Sequence, residues 1–294
     1  LDLMSVTKLH AIARYPLVMA LTPPQFADFG DATAFIPLST GMTQRIAERT
    51  GVDALRSVLP SVADEFKGMN SVTHVVPLLR SAAWVPAADL PDVPHSDEFL
   101  PECRVGRFTG HSADGQRVIL IATAGHNDGH HSHTDIGSFI YHVGGESLIA
   151  DGGRGLYSKD YFRQGRYDNI FNNSYTHNVP RINGQLQAAG PEFNGRKQYA
   201  GSMSFSGEAK QIDMNMAAAY DSPQLKGLGR TLHLDAETGA FTLDDTFSFD
   251  GDALPIEEAF ITWHPVNIDP NDSSAVRIRG EQYTLVLRVS LPTQ

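Results

Sequence analysis

The sequence predicts a mainly β protein, an antiparallel β-sandwich domain preceded by a few helices. Three observations lead there. Apolar residues recur at three- and four-residue spacing only in the first third of the chain. Beyond it, the period drops to two or to short apolar runs. Those runs are separated by Gly, Asn and Asp turns with no helical pattern between them, which favours antiparallel pairing over a parallel sheet.

In the first third, Leu9, Ile12 and Leu17 give Met4 to Leu21 a helical pattern, and Ile46, Val52, Leu55 and Leu59 repeat it over Thr43 to Leu59. Pro16 is expected to kink or split the first helix, because proline lacks the donor for an interior bond and its ring clashes with the preceding turn. Pro23-Pro24 and Pro60 end the two patterns, with Phe29-Gly30-Asp31 in the loop between them. So few helices cannot close a core of their own beside a complete β domain, and they read as the tail of a larger helical unit. The Pro-rich stretch from Trp84 to Pro101 marks the boundary, dividing the chain into a helical segment, 1–90, and a β domain, 91–294.

Strand candidates in the second part are 117–122, 138–141, 147–150, 200–211, 229–234, 241–249, 259–263, 276–279 and 283–289. Gly144-Gly145 and Gly280-Glu281 supply hairpin turns. The single cysteine, Cys103, cannot form an internal disulfide and falls in a strand-like segment, where a buried, inert thiol is expected.

A chain of 294 residues with 41% hydrophobic content can bury a sizeable core. No apolar run approaches the roughly 18 residues of a membrane span. A formal charge of −11 argues against nucleic-acid partners, which need cationic surface to displace counterions. Residues 1 onward carry no basic-then-apolar signal segment, and a first residue other than Met reads as a processed or truncated chain.

Five of the twelve histidines, His126, His130, His131, His133 and His142, fall within seventeen positions. In an extended strand His131 and His133 would face the same side, so an H-x-H pair could grip one ion. Asp151 ends the next apolar strand and could return to that face across a hairpin, and His177 would come from a third segment. Two imidazoles, one carboxylate and an open fourth position form a tetrahedral zinc set. His142 and His264 read as ordinary packed or surface histidines, and Asp135 as a partner orienting a histidine. The stretch from Tyr157 to Tyr175 is rich in Tyr, Arg and Asn, and Arg163, Arg166 and Tyr175 are its candidate sugar contacts. Guanidinium forks match carboxylates and sulfates, while rings and amides suit sugar faces and hydroxyls.

Three blocks carry a resemblance: G-H-N-D-G-H-H-S-H-T-D-I-G-S-F from Gly125, L-I-A-D-G-G from Leu148, and Y-T-H-N-V-P-R-I-N-G-Q from Tyr175. In this order they resemble the heparinase II/III-like polysaccharide lyases, a group that includes the oligo-alginate lyases. The resemblance implies that the leading helices are the end of an (α/α) toroid. It also implies β-elimination at the uronic acid of an anionic polysaccharide, alginate or glycosaminoglycan, in the periplasm or outside a bacterium. By position His131 resembles the histidine that touches the substrate carboxylate, with Asn127 a helper. His133, Asp151 and His177 match the ligands of one zinc ion that braces the β side of the cleft. The family's proton-transfer tyrosine and histidine usually lie in the toroid, and no residue here matches them, so a toroid domain, upstream or separate, is an expected partner. Self-association into a homo-oligomer stays open.

Two other readings fit the residues. One is a non-catalytic sugar-binding or scaffold module on the same fold. The other is a cupin-like oxygenase or hydrolase, against which the long polar gap from Asp151 to His177 counts.

Overall fold

The computed structural model describes residues 7–35, 38–59, 75–84, 91–127, 131–163, 165–189 and 200–290. They form two compact units. The first comprises 1–27 and 33–96, the second 28–32 and 97–294.

The first unit is helical. Helix α1, Thr7–Met19, contains Pro16 and runs through it unbroken, burying Ala13, Leu17, Val18 and Met19. Packing of that face outweighs the backbone bond that proline removes. The single pattern expected over Thr43 to Leu59 is two elements. Helix α2, Thr40–Thr50, stops where Gly51 adopts a left-handed φ of 72° and caps the Ala47 carbonyl, and a 3-10 helix, Asp53–Val58, follows. Helix α3, Val75–Ala83, was not anticipated. It is tied to α2 where the Gly41 N–H donates to Ser81 Oγ at 2.9 Å. Pro60, residues 4–6 of the first helical pattern and residues 85–90 of the proposed boundary stretch lie outside the described residues. Among those described, no helix is long and apolar enough to cross a membrane.

The second unit is the antiparallel sandwich. Its first sheet is a meander of β1 (Glu98–Leu100), β2 (Val105–His111), β3 (Arg117–Thr123), β4 (Phe139–Val143) and β5 (Glu146–Ile149). A short strand β6 (Arg181–Ile182) follows. The second sheet, another meander, holds β7 (Ser202–Ser206), β8 (Gln211–Asn215), β9 (Leu225–Leu234) and β10 (Phe241–Phe249). Strand β11 (Ile256–Glu257) pairs with β6, and β12 (Val266–Asp269), β13 (Asp272–Arg279) and β14 (Thr284–Arg288) form a third small sheet.

Phe108, Val118, Leu120 and Phe139 of the first sheet share one core with Ile212, Met214, Leu228 and Leu232 of the second. Strand β3 is buried on both faces from Val118 to Thr123, which is why it reads as a continuous apolar run rather than an alternating one. Gly144-Gly145 makes the predicted tight turn, with Val143 opposite Glu146.

Three local expectations need correction. Cys103 is exposed, in the turn that joins β1 to β2, since Pro101 ends the first strand before the thiol is reached. The run 200–211 breaks into β7 and the start of β8 around a turn in which Lys210 takes a positive φ. Residues 259–263 are not a strand. Instead, the Ile261 carbonyl accepts from Ala150 N–H, and Ile261 N–H donates to the Asn178 side chain.

That asparagine locks the core. Fully buried, Asn178 donates from Nδ2 to the Phe139 carbonyl at 2.7 Å and the Ala150 carbonyl at 2.6 Å, while its Oδ1 accepts from Ile261 N–H at 2.6 Å. Asn178→Ala therefore strands two buried carbonyls and one partly buried N–H and should cost roughly 2–4 kcal/mol in urea denaturation, with near-neutral behaviour contradicting this role.

His142 on β4 is also buried, with Nδ1 within 3.0 Å of Ser147 Oγ. Burial, aided by the Arg117 charge, pushes its pKa down from 6.5 to about 4. The stabilisation from keeping this ring neutral is complete above the unfolded value and is lost as pH falls towards the folded one. Stability should therefore drop between pH 6.5 and 4, and His142→Gln should remove on the order of 3 kcal/mol of that drop. An unaltered pH slope in the variant would rule this out.

Candidate functional site

The site is built on the long loop between β3 and β4, the turn after β5, and the irregular segment from 151 to 189. His131 and His133 both lie in the loop rather than on a strand, so the alternation argument fails in detail. They nonetheless converge, because one buried carboxylate draws both rings. Asp31, whose side chain is 3% exposed, places Oδ2 2.7 Å from His131 Nδ1 and Oδ1 2.7 Å from His133 Nε2. Oδ1 also accepts from Arg166 Nη2 at 2.9 Å and from the Tyr161 hydroxyl at 2.5 Å. Burial opposes the charge on Asp31, but the hydrogen bonds from Tyr161, Arg166 and the two histidines more than offset it and hold the carboxyl well below its usual range.

The backbone is committed to this arrangement. His131 takes a left-handed φ of 64°, uncommon for a residue with a side chain, and its carbonyl accepts from Asp31 N–H at 3.0 Å. Gly30 permits the approach, since a Cβ there would lie 2.8 Å from the His131 carbonyl oxygen. The Gly30 N–H donates to Asp135, whose carboxyl burial raises to about 6.

Deeper in, His177 and Asp151 are both fully buried and paired, with His177 Nδ1 2.9 Å from Asp151 Oδ2. Ser138 Oγ and Gly153 N–H also donate to Asp151. Burial favours the neutral forms, but the mutual attraction prevails, raising the His177 pKa and lowering that of Asp151. The His133 ring lies 5.2 Å from that of His177, and burial together with the His177 charge lowers its pKa to about 4. Asp28, which reaches this group from the same short segment as Asp31, is raised to about 8 by burial and by Asp151.

Zinc is tested by the donors present. His133 Nδ1 and His177 Nε2 are buried without a hydrogen-bond partner, and Asp151 touches His177 directly. Imidazole and carboxylate are the donor types zinc takes, and a buried ring nitrogen without a hydrogen-bond partner suits a ligand position. The donor chemistry fits. Among the described residues, however, no group of three or more His, Cys, Asp or Glu side chains is already closed into a binding set, so the three must draw together to hold an ion.

Of the other candidates, Asn127 is buried and donates from Nδ2 to the Ala188 carbonyl at 3.0 Å, leaving Oδ1 unpartnered. Arg163 is exposed. Arg166 is committed internally to Asp31 and the Ser132 carbonyl, and its guanidinium lies 4.9 Å from the Tyr161 ring centroid. Tyr175 is 48% exposed and stacks under Arg181 at 4.5 Å. His130 lies outside the described residues, and His126 makes an isolated bridge to Ala200. Sequence reasoning assigned no role to Asp28, Asp31, Ser138 or Tyr161. The only signal for the first two was an acidic pair flanking Phe29-Gly30 in a predicted loop.

Comparison with known proteins follows this geometry. Residues 97–289 match the family model described as heparinase II/III-like, C-terminal. No curated protein matches the chain. Among solved structures, a heparinase III crystal structure superposes with a TM-score of 0.62 at 13% identity, over 95% of this chain and 40% of that one. A heparan sulfate lyase mutant from Pedobacter heparinus gives 0.58 at 12% identity, over 90% of this chain and 36% of that one. At such identities the likeness is one of fold, and the chain spans well under half the length of these structures. The family match covers most of the chain and all three sequence blocks. The chain therefore belongs to the heparinase II/III-like family, of which it carries the C-terminal β domain.

Proposed function

We propose that the chain forms the β-domain wall of a polysaccharide lyase cleft and acts on a uronic-acid-containing anionic polymer, alginate or a glycosaminoglycan. The observation that carries this reading is the His131 imidazole. Its side chain is 60% exposed, yet one ring nitrogen is anchored on a buried carboxylate, inside a block that the family model matches.

In β-elimination the C5 proton leaves to a base, the electron pair forms the C4–C5 double bond, and the C4–O4 bond breaks as an acid protonates O4. The C5 proton is barely acidic until the neighbouring carboxylate is neutralised, because the transition state loads negative charge onto that group. His131 is the group we assign to meet it, and Arg163 and Tyr175 are the remaining polymer contacts; Asn127, buried with its amide committed to the Ala188 carbonyl, acts at most by bracing this wall. Arg166 contributes by holding Asp31. The tyrosine and histidine that move protons have no counterpart among these residues, and the proposal assigns them to a helical toroid. A polymeric substrate places the work in the periplasm or outside the cell.

One zinc ion held by His133, Asp151 and His177 belongs to the same proposal. When bound it would cross-link the β3–β4 loop to the two segments that follow, a structural contribution. The burial of all three side chains and the unpartnered His133 Nδ1 support it.

Two measurements test the reading. The chain, together with the helical toroid that supplies the proton-transfer pair, is mixed with alginate, heparin, chondroitin and hyaluronan oligosaccharides, and the ultraviolet absorbance of the new double bond is followed. A rise with one of them is expected. Binding without absorbance would make the chain a sugar-binding module instead. Elemental analysis should find about one zinc per chain, lost in His133→Ala. Full retention in that variant would overturn the ligand assignment.

A further inference from the structure

We propose that Asp31 is a positioning residue: by accepting a hydrogen bond from His131 Nδ1, it fixes the exposed imidazole in the tautomer that turns Nε2 toward the substrate. Its catalytic meaning rests on the lyase reading above, but the tautomer does not.

The argument is one of donors and acceptors. Asp31 Oδ2 has His131 Nδ1 as its partner at 2.7 Å, while Oδ1 is filled by His133, Arg166 and Tyr161. An ionised carboxylate only accepts, so a nitrogen at that distance must carry its proton on the facing edge. Nδ1 of His131 is therefore N–H, and in the neutral ring the lone pair is at Nε2, on the edge away from the buried carboxylate. An unconstrained histidine favours the opposite tautomer, so the choice is imposed by Asp31.

The main chain makes the constraint two-way. Asp31 N–H donates to the His131 carbonyl while the His131 ring donates to the Asp31 side chain, and this reciprocal clamp holds His131 in its left-handed conformation. Phe162 approaches the ring edge-on at 6.2 Å, limiting its rotation. The same carboxylate that ties the buried His133, Tyr161 and Arg166 together thus aims the one exposed ring. Oδ1 holds the wall and Oδ2 aims the tool.

Nitrogen-15 NMR of the ring nitrogens in the whole chain, at a pH where the ring is neutral and with His131 assigned through His131→Ala, reads the tautomer directly. The wild type is expected to show the Nδ1–H form, and Asp31→Asn to move it to Nε2–H. An Nε2–H ring in the wild type would overturn the proposal, and so would an unchanged ring in Asp31→Asn. Should that variant fail to fold, the wild-type spectrum alone decides.

In the protein with its helical toroid present, Asp31→Asn should lower kcat/KM about 10- to 100-fold. It should cause no further loss in the His131→Ala background. An equal loss in both backgrounds would mark Asp31 as merely structural. Absence of turnover by the wild type would count against the lyase reading while leaving the tautomer measurement intact.

Discussion

Burying a carboxylate is costly by several kcal/mol unless its oxygens are filled, and the Asp31 side chain is filled by four donors drawn from two segments. Because the charge must be satisfied, the β3–β4 loop has to bring His131 and His133 to it, and the segment after β5 has to bring Tyr161 and Arg166. The described residues of the loop have almost no regular secondary structure to define their path, and this one anion takes that role. Removing any single donor leaves charge under-compensated in a place where water cannot replace it, so the elements of the site stand or fall together.

A second charged centre works from the other sheet. Arg230 sits at an inward-facing position of β9, almost fully buried, with its guanidinium paired to Asp245 at 2.6 Å and to Glu258 at 3.3 Å. Its remaining donors reach the carbonyls of Gly137 and Asn178, the residues before Ser138 and after His177. Ser138 and His177 in turn hold Asp151. The second sheet thereby supports the innermost pair of the site through backbone carbonyls. The mixture of buried cation and anions gives directional support that apolar packing alone would not supply.

The architecture was legible because two periodicities dominate it. The double-sided burial of β3 produces its apolar run, and the exposed outer face of the second sheet produces the alternation of β10. The histidine block was legible because five imidazoles so close together need a cause. What could not be read was partnership. Asp31 lies 100 residues from His131, and nothing in local spacing says that an acid in an early loop completes a later one. The strand argument expected the H-x-H pair to share one face of a pleat; the two rings instead meet on a carboxylate, with a left-handed backbone at His131. Helix α3 escaped notice because Pro77 and its short length weaken a helical signal. Cys103 was misplaced because the turn that holds it is only four residues long, between strands ending at Leu100 and beginning at Val105.

The segment Asp28–Ala32 belongs to the β unit although it is embedded in the helical part of the sequence. The family match begins at residue 97 and does not contain it. A domain excised along that match would keep every histidine of the block yet lose their common anion, leaving Arg166 a cation without its counter-charge and His131 free to rotate. For this protein the unit of sequence similarity and the compact structural unit are therefore not interchangeable. Grafting or recombining the β domain requires carrying five residues from what looks like its neighbour.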